Sequence, residues 1–386
     1  MSSSGSASSP DPAGPPPSQP ALSTVIPPLI LGTATFNYQY TDPNTLPYTS
    51  IVARALSLGI NAFDTSPYYG PSETLLGTAL TDSSVRNTYP RSSYFLITKV
   101  GRIASSSFDY SPAAIRASVK RSIARLGNSG YLDLVYCHDC EFVSSDAMLA
   151  AVRELRVLRN EGLVRYIGIS GFPVGLLAQR AAEVLRITSE PLDAVLSYGN
   201  FCVQNTSLGS DTVLEAFEAA QVGVLLNASI LNMGLLTTRG IDAGPQASWH
   251  PSPKPLRAAC KALVPIAQKA GFSLEDVCIR WALSAWLHRG SRFGSSFQNY
   301  GHGPQRDAKL GVSVLGVTAI SELEESVEAF NDALAQGHED GASRIKKVAS
   351  LVENEMWPAL GTWKDFAWDS PDKNFVNTPL TSSVSP

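Results

Sequence analysis

Cysteine is scarce: five residues (Cys137, Cys140, Cys202, Cys260 and Cys278) lie scattered over 386 positions. An odd, thinly spread set fits free thiols in a reducing compartment and excludes a disulfide framework as the organising device. No apolar run approaches the roughly 20 residues that a membrane-spanning helix needs. The N-terminus lacks the basic start and apolar centre of a secretory signal. The Ser- and Pro-rich stretch from Ser2 to Pro20 makes residues 1–24 read as a disordered tail on a cytoplasmic protein. Basic clusters are missing too. Thirty Lys and Arg against thirty-four Asp and Glu give a formal charge of −4, so neither nucleic acid nor a membrane is an expected partner. Nor does any Gly-x-Gly-x-x-Gly follow a strand-like run, which removes the dinucleotide fingerprint of the open doubly wound sheet.

What the chain has is rhythm. At 44% hydrophobic residues it is long enough for one large core. Strand-sized runs at 29–36, 61–63, 94–98, 132–137, 164–169, 194–196, 222–226 and 312–315 alternate with helix-sized runs at 48–58, 72–80, 112–126, 146–159, 174–185, 212–220, 255–269 and 322–334. Near-continuous apolar strands of this kind belong to a parallel sheet covered on both faces. Eight strand-helix units predict an α/β fold, a (β/α)8 TIM barrel over residues 25–340, with an open doubly wound sheet as the alternative. Two Gly/Ser/Pro-rich segments, 242–253 and 289–307, read as loops. Residues 341–386 add a helix at 344–355 and an aromatic segment with Trp357, Trp363, Phe366 and Trp368, either a flap over the site or packing on the outside.

In such a barrel the active site lies at the carboxyl ends of the strands. Four polar residues stand there: Asp64 closes the second strand, Tyr69 sits in the turn after it, Lys99 closes the third, and His138 closes the fourth. Alternation puts Lys99 on the face of Phe95 and Ile97, and His138 on the face of Leu134 and Tyr136. Each has a plainer reading alone: a solvated lysine, a structural histidine, a carboxylate that starts a turn. Together they form a proton-transfer set. An ammonium lowers the pKa of a nearby phenol, a carboxylate holds the ammonium, and an imidazole orients a substrate oxygen. Cys137-His138-Asp139-Cys140 also contains a C-x-x-C, but no second ligand pair follows at zinc spacing, and alternation turns Cys137 towards the helices. No metal is expected.

Phe63-Asp64-Thr65 with Tyr69-Gly70, Gly77 in Glu73-Thr74-Leu75-Leu76-Gly77, Lys99 in Ile97-Thr98-Lys99-Val100, and His138 after Leu132-Asp133-Leu134-Val135-Tyr136-Cys137 resemble the aldo-keto reductase superfamily over roughly residues 30–330. The resemblance implies a nicotinamide-binding barrel with Tyr69 as acid or base and Asp64, Lys99 and His138 completing a tetrad. Tyr136-Cys137-His138-Asp139, Leu196-Ser197-Tyr198 and Asn227-Ala228-Ser229 look most like the L-galactose and D-arabinose 1-dehydrogenase branch, which oxidises an aldose C1 hydroxyl to a lactone with NAD. The alternatives are an NAD(P)H-dependent aldehyde or ketone reductase of the same fold and a non-catalytic cofactor-binding subunit. The implied partner is a small sugar or carbonyl compound, and the implied assembly a monomer or weak oligomer.

By the same resemblance the cofactor contacts are Gly32, Thr33, Ala34, Asp64, Ser170, Ser197, Ser229, Leu231, Gly234, Gly316, Val317, Thr318, Glu322, Glu325 and Ser326. Substrate would meet Phe36, Asn37, Tyr68, Tyr69, His138 and Asp139. Two departures stand out. Similar proteins hold the nicotinamide with a Ser-Asn pair where this chain has Ser170-Gly171, and their stacking aromatic aligns with Ala228. The basic residues that hold the 2′-phosphate of NADP in relatives align with Gly316 and Glu322. A carboxylate repels a dianionic phosphate and can accept from ribose hydroxyls, so NAD is expected over NADP.

Overall fold

The computed structural model describes residues 19–297, 309–334 and 339–378. Eight parallel strands form its centre: β1 Leu29–Gly32, β2 Ala62–Asp64, β3 Phe95–Val100, β4 Leu132–Cys137, β5 Val164–Gly171, β6 Ala194–Tyr198, β7 Val224–Ala228 and β8 Val312–Gly316. The sheet closes on itself through the pairing of β1 with β8, Leu29 opposite Ser313 and Gly32 opposite Gly316. Closure excludes the open doubly wound alternative.

Strand alternation divides the core in two. Phe95, Ile97, Leu134, Tyr136, Tyr166 and Leu196 fill the barrel interior, while Leu96, Val100, Val135, Cys137 and Ile169 pack outward against the helices. Helices such as Pro112–Arg125, Ser145–Asn160 and Leu274–Arg289 start where Ser111, Ser144 and Ser273 cap a backbone N–H two or three residues on. Gly77, in helix Ser72–Thr81, lies so near the end of Pro112–Arg125 that a Cβ would stand 2.0 Å from the Arg125 carbonyl oxygen. Any other residue there would push the two helices apart.

Several boundaries differ from the sequence expectation. The first strand stops at Gly32, because Thr33 donates its N–H to Asp64 O at 2.8 Å and opens a turn in which Phe36 N donates to Thr33 O at 2.9 Å. The run at 255–269 divides into Lys254–Lys261 and Leu263–Lys269; Pro265, without an N–H, interrupts the ladder between them. Of the expected 1–24 tail, residues 1–18 lie outside the described part, but Leu22–Val25 is a helical turn. Leu22 and Ile26 join the interior cluster and close the barrel floor. Tyr166 donates its hydroxyl to Pro20 O (2.7 Å), Ser296 N donates to Ser23 O (2.7 Å), and Ser295 Oγ donates to Ile26 O. The loop expected at 289–307 is described only to residue 297.

Candidate active site

Because all eight strands run parallel, their carboxyl ends share one mouth, and a cavity of about 990 Å³ opens there. Asp64 is the last residue of β2 and Lys99 the last but one of β3. His138 directly follows β4 and is held by its own N–H to Val100 O at 2.9 Å. Tyr69 rides on the turn after β2, where its N–H bonds Ser66 O and its carbonyl receives Ser72 N, the first residue of helix Ser72–Thr81. All four line the cavity.

Lys99 Nζ donates to Asp64 Oδ1 at 2.5 Å and to Thr65 O at 2.9 Å, with its side chain 2% exposed. A lysine so deep in the protein requires that carboxylate. Nζ also lies 4.9 Å from the centre of the Tyr69 ring, which places it against the phenol face. Burial raises the Asp64 carboxyl above its ordinary range, with Lys99 opposing. The electrostatics of Tyr69 differ from the expectation that Lys99 lowers its phenol. Burial, then Asp64 and Asp139, hold the phenol well above its usual value, and the cation that works the other way is Arg102. The Lys99 charge is matched at close range by Asp64. The His138 ring stands edge-on to Tyr69 (centroids 5.8 Å, 88°). Burial pushes the imidazole down to about 3, with Lys99 and Arg102 adding to that and Asp139 opposing. Its Nδ1 meets Ser66 Oγ at 3.1 Å, and Ser66 Oγ also accepts from Tyr68 N at 3.1 Å; with the Ser66 hydroxyl as donor to Nδ1, the imidazole carries its proton on Nε2.

A second polar group adjoins the first. Arg102 donates to Asp139 Oδ2 through Nη1 and to the Tyr68 hydroxyl through Nη2 at 3.2 Å, and its Cζ lies 3.9 Å over the Tyr68 ring. Asp139 adopts a left-handed backbone, φ 53°, and its Oδ1 is buried with no hydrogen-bond partner among the described residues. Arg102 was absent from the sequence expectation; its place three residues after Lys99 was the available signal. Tyr198 was missed as well. Leu196 and Tyr198 face the cavity, which leaves Ser197 on the other side of β6, where it accepts from Asn200 Nδ2 at 3.0 Å. Ser197, an expected cofactor contact, thus stands behind the cavity wall in a buried hydrogen bond.

Three further expected site residues are placed off the cavity wall. Thr33 gives its hydroxyl to Asp64 O (3.0 Å) and receives that of Ser72 (2.7 Å). Phe36 is wholly buried in the helix-side core. Asn37 is closed into a turn by bonds to Ala34 O (2.7 Å) and from Gln39 N (2.6 Å). None of the three lines the cavity.

The remaining expected cofactor residues do line it: Gly32, Ala34, Ser170, Ser229, Leu231, Gly234, Gly316, Val317, Thr318, Glu322, Glu325 and Ser326. Ser170 Oγ is buried without a hydrogen-bond partner among the described residues and lines the cavity, where a bound molecule could meet it. At the far end the helix Ile320–Ala333 points its N-terminus at the cavity, and Glu322 accepts from Thr318 N (2.7 Å) and Oγ1 (3.0 Å). An elongated cavity with a buried hydroxyl at one end and a helix N-terminus at the other fits a dinucleotide.

The loop at 242–253 contributes Gln246, Trp249 and Pro251 to the wall, and Trp249 Nε1 reaches across to Gln39 O at 3.2 Å. The C-terminal aromatics divide between both expected roles. Trp357 and Trp363 pack on the outside, with Trp357 Nε1 bonded to Val203 O, whereas Trp368, Ser370, Asp372 and Phe375 cross the mouth. Trp368 stacks on Phe172 (4.6 Å, 10°) and Phe375 contacts Phe142 (4.8 Å). Among the described residues no helix is long and apolar enough to cross a membrane.

The family model of the aldo/keto reductases matches residues 28–347. The chain is 39% identical to D-arabinose 1-dehydrogenase of Saccharomyces cerevisiae over 330 residues, 85% of this chain and 90% of that one. It is 32% identical to L-galactose dehydrogenase of Arabidopsis thaliana over 80% of this chain and 86% of that one. A solved structure from Pseudomonas aeruginosa described as an aldo-keto reductase superposes with a TM-score of 0.52 at 22% identity, covering 82% of this chain and 94% of that one.

Proposed function

This chain belongs to the aldo/keto reductase family and is an oxidoreductase, and from that premise we propose that it oxidises the C1 hydroxyl of an aldose to an aldonolactone with NAD. One observation carries the reading: Tyr69, Lys99, Asp64 and His138 meet in a cavity that also holds Asp139 and Arg102. Both similar sugar dehydrogenases are named for aldoses.

In this reading the phenolate of Tyr69 takes the proton of the C1 hydroxyl. Arg102 is the cation that favours the phenolate against the cost of burial, while Lys99, fixed by Asp64, packs against the face of the phenol ring. His138 is neutral and donates from Nε2 to the substrate oxygen, which fixes its direction. Asp139 Oδ1, an acceptor without a partner, receives a second sugar hydroxyl. Bound NAD supplies the acceptor for the hydride that leaves C1. Ser170, Ser229, Leu231, Gly234 and Gly316 through Thr318 hold it, with Glu322, Glu325 and Ser326 at the adenosine end. Glu322 favours NAD, since its carboxylate would face the extra phosphate of NADP.

The raised phenol of Tyr69 favours a second reading, a carbonyl reductase in which Tyr69 starts protonated and acts as the acid. A panel of aldoses with NAD and NADP, and of aldehydes and ketones with NADH and NADPH, separates the two. NADH formation from an aldose is the expected result. Carbonyl reduction without sugar oxidation would overturn the substrate assignment, and a higher kcat/KM with NADP would overturn the cofactor assignment.

A further inference from the structure

At the end of β5 the chain has Ser170-Gly171, and the space beside Gly171 is filled by another side chain. A Cβ at 171 would stand 2.2 Å from Glu141 Oε2 and 3.1 Å from its carboxyl carbon. Glu141 belongs to the short turn Cys140–Phe142 after β4, the loop that also carries His138 and Asp139. It is 7% exposed. Its Oε1 accepts from Phe172 N at 3.0 Å and from Ser370 Oγ at 3.1 Å, while Oε2 is buried without a hydrogen-bond partner among the described residues. One carboxyl group thus ties its own turn after β4 to two other segments, the backbone after β5 and the C-terminal strap across the mouth. The strap has other anchors, Trp368 on Phe172 and Asn377 in a reciprocal pair with the Phe108 backbone (2.9 Å each). Glu141 is its polar tie to the centre.

We propose that Glu141 is a positioning residue that occupies the place of a side chain at Gly171 and buckles the His138-Asp139 turn and the C-terminal strap together over the substrate end of the cavity. The inference rests on the dehydrogenase reading for its kinetic arm only. A side chain at 171 would meet the Glu141 carboxyl where it now stands and force it to shift, and Gly171 lets Glu141 keep its two partners, Phe172 N and Ser370 Oγ. Burial, with Asp139 beside it, pushes the Glu141 carboxyl up to about 8, so the group is largely protonated at neutral pH. Phe172 N and Ser370 Oγ occupy the acceptor oxygen. The charged and titratable groups around it are Asp139 and Cys140 on its own turn, Tyr110 and Tyr198 from neighbouring elements, and Arg180 beside Cys140.

The test uses the full chain with four variants: Glu141→Ala, Gly171→Asn, the two combined, and Ser370→Ala. Loss of the buckle in Glu141→Ala raises the sugar KM about fivefold or more, the worth of roughly one hydrogen bond, with NADH affinity by fluorescence titration within about twofold of wild type. Gly171→Asn alone is damaging, and the double variant is better than Gly171→Asn, because removal of the carboxylate makes room for the new side chain. Trypsin reports the strap without turnover: Lys373 lies within it, and cleavage there is faster in Glu141→Ala and Ser370→Ala. If wild type oxidises no aldose, the dehydrogenase reading falls, while proteolysis and NADH titration still judge the buckle. An unchanged KM with unchanged cleavage, equal weakening of NADH and sugar, or a harmless Gly171→Asn would overturn the proposal. Should Glu141→Ala fail to fold, Ser370→Ala decides: unchanged cleavage at Lys373 overturns it.

Discussion

Tyr69 is the residue on which the proposed chemistry turns, and its surroundings set a direction for the pH response. Its phenol is held above the usual value, so the phenolate that oxidation needs becomes more populated as pH rises. For oxidation, kcat/KM should climb steadily from about pH 7 towards 10; reduction, which uses the phenol, should be level over that range. His138, pushed down to about 3, stays neutral throughout, so neither profile should show an acid limb near 6.5. Tyr69→Phe should cut turnover by about 10²–10⁴-fold with NADH binding retained, since the proton acceptor goes and the expected cofactor contacts lie mostly elsewhere. Asp64→Ala leaves Lys99 buried with only Thr65 O as partner. Urea denaturation should show a loss of about 3–5 kcal/mol, the usual consequence of orphaning one member of a buried ion pair.

At the scale of elements, the strands made the site legible, and the turns hid part of it. Two-residue alternation puts Lys99 and Tyr136 on the interior face of their strands because each strand is nearly all apolar and covered on both sides. The same alternation, carried one residue further in β6, would have selected Tyr198 over Ser197. Thr33 and Asn37 eluded the reading because they sit in a turn, where a hydroxyl or amide is as readily spent on the local backbone as on a ligand. The strap was hidden for another reason. Its role depends on contacts between segments as distant as Phe108 and Asn377, which no local pattern encodes. Trp368 is stacked on Phe172 and lines the cavity. Trp368→Ala should raise the sugar KM about tenfold through lost packing of the strap, with Tm nearly unchanged.

For the whole molecule, closure of the barrel makes the interior one continuous core, and the short N-terminal turn completes it from below. Ile26 is fully buried there; Ile26→Ala should cost about 2–5 kcal/mol in a denaturant titration. Glu141 adds a pH term. The folded protein keeps its proton up to about 8 whereas the unfolded chain releases it near 4.5, so between those values the unfolded state binds fewer protons and stability falls as pH rises. Glu141→Gln removes that slope, and its Tm should change less than that of wild type between pH 5 and 8.

The two described ends of the chain leave on opposite sides. Residue 19 emerges beneath the barrel floor, where Gln19 Nε2 bonds Arg165 O, and residue 378 emerges beside the mouth, where Thr378 N bonds Ser106 O. An electrode or resin coupled at residue 19 would therefore sit on the face of the barrel opposite its opening. A tether attached at residue 378 would instead pull on the segment that crosses the mouth.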